Sequence, residues 1–242
     1  MCTGSPPCQA FSSCNPKTGT DLEKNKQAGI GLIRWFLDTA LKCGATSWSM
    51  EEVDHPVIRH LLDRYKEDHS EKVDYDVFHL NELGVPQTRK RIIAGSPHLI
   101  DRLRSLCNRL KYSAKDAITT PRGTHIKTTR NTEKTPDGNR PLPLEKGTRC
   151  WETELAPTIL ATDANRWLTI KDGKAVKESL TDLNPAESAA LQTFPKTYMW
   201  PLQKTVATRQ IGNAVPPLIA ALMLSDEHET PEDVAARLDF CI

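Results

Sequence analysis

The chain has 242 residues, 38% apolar and 26% charged, with a net charge of +1, which suits a packed domain plus a smaller lobe and excludes a disordered chain. No apolar run reaches the roughly 18 residues of a membrane span, and seven cysteines without a secretory segment point to a reducing, intracellular setting, nucleus or cytoplasm left open. Residues 101–150 hold 12 Lys and Arg against 5 Asp and Glu, a net of +7, between flanks of −1 (1–100) and −5 (151–242); such a basic middle suits a surface that meets phosphates, or a solvated lysine-rich loop.

In chain order, residues 1–20 read as a Gly/Pro/Ser loop, with Met1–Gly4 as the end of a strand. Ile30, Ile33, Leu37 and Leu41 recur at helical spacing within Gln27–Cys43, and Gly44 is a natural stop. A short strand follows from Thr46 to Met50, ending in Glu51, Glu52 and Val53. A helix opens at Pro56 with Val57, Leu61, Leu62 and Tyr65 on one side. Strands are expected at Val73–His79 and Arg91–Ala94, and a helix at Leu99–Leu110. This alternation predicts an α/β domain with a largely parallel sheet, whose catalytic residues gather at the carboxyl ends of strands.

From Ser113 to Thr181 the regular pattern weakens, with short strands expected at Thr158–Ala161 and Trp167–Ile170. A helix is expected near Pro185–Gln192, then a loop through Pro201, an apolar helix around Pro217–Leu224 and an amphipathic stretch at Val234–Phe240. The division is 1–112, a first domain; 113–180, a loop-rich lobe; and 181–242, a segment returning to the first domain. Cys8 and Cys14 lack a second Cys/His pair at zinc spacing, so no metal site is expected.

Four segments carry chemistry-bearing residues: Ser5-Pro6-Pro7-Cys8-Gln9-Ala10-Phe11-Ser12; Glu51-Glu52-Val53; Gly84-Val85-Pro86-Gln87-Thr88-Arg89-Lys90-Arg91; and Arg209-Gln210-Ile211-Gly212-Asn213-Ala214-Val215-Pro216-Pro217. A fifth runs from Leu183 to Pro195 with Glu187, Leu191, Gln192 and Phe194. A cysteine after two prolines can serve as a nucleophile, because its thiolate is the reactive form. A carboxyl group at a strand end suits acid–base work. Arg89 and Arg91 alternate, so on an extended segment they share a face, and guanidinium offers a planar donor fork.

In order and spacing these five segments together resemble the cytosine carbon-5 DNA methyltransferase family, over nearly the whole chain. The resemblance implies a partial Rossmann-like methyltransferase domain with a smaller loop-rich target recognition lobe. It implies methyl transfer from S-adenosylmethionine to carbon 5 of a cytosine flipped out of DNA. Cys8 would attack carbon 6, Glu51 would engage ring nitrogen 3, Arg91 would hold the base with Arg89 and Gln87 in support, and Asn213 would touch the donor. Arg122, Lys127, Arg130, Lys134 and Arg149 are candidate contacts to phosphate or base. Two positions depart from the family pattern: Glu52 stands where Asn is usual, and Ala10 where Gly is common.

The family's main donor-binding motifs precede its Pro-Cys-Gln motif, and seven residues precede Cys8 here. The expectations are a second polypeptide that supplies the missing half, a fragment of a longer enzyme, or a non-catalytic nucleic-acid-binding or regulatory remnant. Transfer RNA is the alternative substrate.

Overall fold

The computed structural model describes the chain except residues 8, 12–19, 129–131, 136–137, 142–146, 163–164, 226–228 and 240–242, with backbone alone for 20, 132–135 and 138–141. Two compact units emerge: unit 1, Met1–His79 with Lys90–Cys107, and unit 2, Leu80–Arg89 with Asn108–Ile242.

Unit 1 is α/β. Its elements are β1 (Cys2–Gly4), α1 (Thr20–Lys42), β2 (Trp48–Val53), α2 (Pro56–Asp68), β3 (Asp74–His79), β4 (Lys90–Gly95) and α3 (Pro97–Leu106). Along α1, Ile33, Phe36, Leu37 and Ala40 are buried, one stripe of a 3.6-residue period. Asp21 and Glu23 in its first turn and Lys42 in its last complement the helix dipole. Pro56 opens α2, where a proline's missing N–H costs no hydrogen bond. The buried stripe of α2 is Ile58, Leu61 and Leu62, with Tyr65 packed beside the core. Val57, expected on that stripe, is exposed, because the face turns to Ile58 one position later.

The sheet order is β1-β2-β4-β3. β1 pairs in parallel with β2, whereas β4 is antiparallel to both β2 and β3. Three strands therefore run one way and β4 alone is reversed. The expectation of a largely parallel sheet holds for strand direction but fails for the ladders. The reason is the link from β3 to β4: residues 80–89 hold a 3-10 turn, Leu80–Leu83, and no crossover helix, and a parallel return would require one.

Unit 2 contains α4 (Ala114–Ala117), β5 (His125–Thr128), β6 (Thr132–Thr135), β7 (Gly138–Pro141), β8 (Thr148–Cys150), β9 (Asn165–Lys171), β10 (Lys174–Asp182), α5 (Pro185–Leu191), α6 (Lys204–Asn213), α7 (Pro217–Leu224) and α8 (Pro231–Leu238). An antiparallel sheet of order β10-β9-β5-β8 supplies one wall of its core, and β6 and β7 form a separate ribbon. Ile126 and Trp167 from this sheet meet Leu183, Leu191 and Ile211. The Trp167 indole N–H donates to Glu187 at 3.1 Å. Glu187 in turn closes a capping box with Asn184 at the start of α5, satisfying amide donors that a helix start leaves open.

Four expectations differ from the fold, three in this unit and the last in unit 1. The weakly patterned stretch from 113 to 181 holds a four-stranded sheet. Thr158–Ala161 forms no strand, because the Ile159 N–H is taken by the Gln87 side chain at 2.8 Å. β10 and α6 had no counterpart in the sequence reading. Leu99–Leu110 shortens to α3, which ends at Leu106.

Candidate active site

In unit 1 the central strand β2 buries all six of its residues. Side chains alternate along a strand, so Glu51 shares a face with Ser49 and Val53, while Glu52 shares the other with Trp48 and Met50, both of them in the apolar core. Glu51 is 4% exposed. One carboxylate oxygen accepts from the Ser5 hydroxyl at 2.9 Å. The other lies 2.9 Å from Arg91 Nε in a close ion pair whose N–H is not aligned for a hydrogen bond. Arg91 reaches Glu51 because β4 is antiparallel to β2, which sets Arg91 opposite Val53.

Glu52 is fully buried. Its Oε2 accepts from the Val53 amide at 2.9 Å, and its Oε1 has no hydrogen-bond partner among the described residues. Burial pushes its pKa up to about 8, against the lowering effect of the Val53 amide, while the Glu51 charge adds to the rise and Arg91 opposes it. At neutral pH Glu52 is therefore a neutral acid. The adjacent pair Glu51-Glu52 places its carboxyl groups on opposite faces of β2, with one of them uncharged.

Cys8 lies outside the described residues, but both ends of its segment are placed. Ser5, three positions before it, is bound to Glu51. Phe11, three positions after it, is buried: a Cβ on Gly29 of α1 would come within 2.7 Å of its ring, and its centroid is 5.4 Å from that of His55. Ala10 borders a cavity of about 310 Å³ with Pro7, Gln9 and Gly29.

The remaining candidates belong to unit 2. Arg89, 2% exposed, sits just before β4 and donates to the carbonyls of Ile159, Gly212 and Ala214 at 3.2–3.3 Å. Gln87 is fully buried. It donates to the Leu191 carbonyl and the Gln192 side chain at 2.8 Å each and accepts from Ile159. Gln192 passes the network on to the Ile211 carbonyl at 2.7 Å. Three motif segments are thus joined by amide hydrogen bonds, which the sequence could have signalled only through the glutamines Gln87 and Gln192 that two of those segments carry. Gly212 lies so close to the backbone of Leu160 and Ala161 that a Cβ would overlap both. Asn213, at the end of α6, is exposed.

The basic candidates divide. Arg122 is engaged by Glu187 and by the Asp182 carbonyl, and Arg149 by Glu154 at 3.0 Å. Lys127, expected at a nucleic-acid surface, is instead 2% exposed, because both Ile126 and Lys127 of β5 face covered sides of the sheet. Arg130 and the Lys134 side chain lie outside the described residues. Among the described residues no cluster of His, Cys, Asp and Glu could hold a metal ion, and no helix is long and apolar enough to cross a membrane.

No curated protein matches the chain. Among solved structures it is similar to the Entamoeba histolytica methyltransferase EhMeth, with TM-score 0.52 and 12% identity over 98% of this chain and 75% of that one. It is similar to the S. pombe Dnmt2 methyltransferase, with TM-score 0.51 and 14% identity over 88% and 72%. A prophage-encoded E. coli protein assigned as a DNA modification methyltransferase gives TM-score 0.51 and 15% identity over 98% and 76%. At such identities the likeness is one of fold: an α/β, Rossmann-like methyltransferase core with a separate lobe. A family model described as C-5 cytosine-specific DNA methylase matches residues 97–226, a span that includes Asn213 and lies after Cys8, Glu51, Arg89 and Arg91. That match covers more than half of the sequence, and the chain belongs to the C-5 cytosine-specific DNA methylase family.

Proposed function

We propose that this chain activates a cytosine of nucleic acid for methylation at carbon 5. The observation that carries the reading is the Glu51 carboxylate held between Ser5, which leads into Cys8, and the Arg91 guanidinium. Carbon 5 of cytosine is a poor nucleophile. Addition of the Cys8 thiolate to carbon 6 forms the carbon–sulfur bond and shifts the ring's electron pair toward nitrogen 3 and carbon 5. Arg91 positions Glu51 and offers donors to the base oxygen, and Glu51 engages the nitrogen 3 edge where charge develops. Glu52, neutral and turned to the apolar face, adds no second negative charge beside that edge. Arg89 acts as a positioning residue, fixing the backbone at Ile159, Gly212 and Ala214. S-adenosylmethionine, when bound, supplies an electrophilic methyl group, with Asn213 at one edge. Loss of the carbon 5 proton and departure of Cys8 from carbon 6 then restore the ring.

The lobe at 113–180 is proposed to meet a strand from which the cytosine is flipped. DNA and transfer RNA are both substrate classes for the test, and a second polypeptide that completes the donor site is the proposed partner. The experiment is covalent trapping on 5-fluorocytosine DNA and 5-fluorocytosine transfer RNA, with S-adenosylmethionine, with and without the product of the neighbouring coding sequence. A stable adduct is expected for the wild type with its partner and none for Cys8→Ser. Binding of nucleic acid with no adduct under any of these conditions would leave a non-catalytic binding subunit and overturn the proposal.

A further inference from the structure

One aromatic cluster of unit 2 has no part in the chemistry above. Phe194, Tyr198 and Trp200 are three of the chain's 14 aromatic residues and fall within seven positions. The Phe194 ring lies edge-on to Tyr198 at 5.1 Å and to Trp200 at 4.8 Å, and Tyr198 and Trp200 are 4.5 Å apart at 40°. Phe194 and Trp200 pack against the unit 2 core, whereas Tyr198 is 51% exposed on top of them. Beside the rings is a cavity of about 260 Å³, lined by Ala186, Ala190, Phe194, Lys196, Tyr198 and Trp200. These alanines, with Ala189 beside them, all come from α5 and leave the space that larger side chains would fill. The volume falls just under the roughly 300–1,000 Å³ of pockets that bury drug-sized ligands, and so suits a smaller flat group.

Charge selects the occupant. From Ser188 to Ser225 there is no Asp or Glu, while Lys196 and Arg209 are basic and Lys204 pairs with Asp182, in a region (151–242) that is acidic as a whole. An organic cation, a common guest of aromatic walls, would meet Lys196 with no acid from this stretch to balance it. A nucleotide fits both features: its base has a π-face for the rings and its phosphate is an anion for Lys196.

We propose that the Phe194–Tyr198–Trp200 cavity is a subsite that stacks one unpaired base of a nucleic-acid strand, with Lys196 at the adjoining phosphate. Rings already packed on a core lose little freedom on binding, so the platform is preorganised. A base inside a duplex presents no free face, so the ligand is a single-stranded or extruded nucleotide. The proposal rests on reading the chain as one that acts on nucleic acid.

The test is fluorescence anisotropy of the full chain with a labelled 12-nucleotide single strand and with a fully abasic strand of equal phosphate number. Tyr198→Ala should weaken binding of the base-bearing strand by roughly 5- to 150-fold, the range of one base stack, and leave the abasic strand unchanged. Tyr198→Phe should keep wild-type affinity. Ala186→Leu fills the slot from its exposed rim while keeping all three rings, and should weaken only the base-bearing strand. Equal affinity of the wild type for the two strands, or a Tyr198→Ala and Ala186→Leu pair that bind as wild type, overturns the subsite alone. Failure to bind single strand, duplex DNA and transfer RNA alike overturns the parent reading together with it.

Discussion

The two units bury the polar residues of their motifs in different ways. In unit 2, Gln87, Arg89 and Gln192 are sealed from solvent, and the partners they find are mostly main-chain groups of distant segments. In unit 1, two of the sealed groups are carboxyls on one strand, one held in an ion pair and the other with an unpartnered oxygen. A satisfied network specifies where segments go. A partly satisfied acid costs stability at that position, and in this chain it sits next to the residue proposed to hold the base. Unit 2 spends its buried polarity on assembly, unit 1 on keeping a charge pattern.

If that contrast is right, the largest effect belongs to Gln87. Replacing it with Ala strands the Ile159 amide, the Leu191 carbonyl and the Gln192 side chain, each orphan worth about 1–3 kcal/mol, so unit 2 should lose roughly 3–5 kcal/mol in urea denaturation followed by tryptophan fluorescence. An effect below 1 kcal/mol would break the comparison on the unit 2 side.

Glu52 gives the next effect. Its pKa is raised in the fold from 4.5 to about 8, so between these values the native chain keeps a proton that the unfolded chain releases. Stability from this group is therefore full below about pH 4.5, declines as pH rises toward 8, and is flat above. The total change is of the order of 4 kcal/mol. Glu52→Gln should flatten that slope; denaturation midpoints at pH 5, 6.5 and 8 would show it, and an unaltered slope would place the titration elsewhere.

The smallest effect is expected from Ser5→Ala. Losing one hydroxyl bond to a buried carboxylate should cost about 1–2 kcal/mol with the fold retained, and should slow adduct formation several-fold without changing its final amount. Unchanged adduct kinetics would separate Ser5 from the placement of Cys8.

Legibility in the sequence followed locality. α1 and α2 were readable because 3.6-residue spacing is a local signal, with Pro56 marking a helix start. The reversal of β4 was not, since strand direction is set by the connection it grows from and leaves no mark within Lys90–Gly95. Thr158–Ala161 has strand-like residues, but its amide at Ile159 is claimed by a side chain 72 positions earlier. α6 was hidden because Arg209–Asn213 reads first as a motif and lies beyond a proline-rich stretch. Of the site, Glu51 and Arg91 could be named from type and order, and the structure brings them together. Arg89 looked like the partner of Arg91 by alternation, but the strand starts at Lys90 and the Arg89 side chain goes to the carbonyls of unit 2. That Glu52 is buried and neutral could not be read from two adjacent acids, because charge state depends on the burial and the partners that the fold gives each carboxyl.

The segment that carries Cys8 is tethered at two points of different nature. Ahead of it, Ser5 grips the Glu51 carboxylate, a link that depends on one hydroxyl. Behind it, the Phe11 ring rests on the bare backbone at Gly29, a link that answers to shape and temperature. Removing the first leaves the second as a pivot, so Ser5→Ala should let the leading end swing while the trailing end stays seated; a bulkier residue at position 29 should do the reverse.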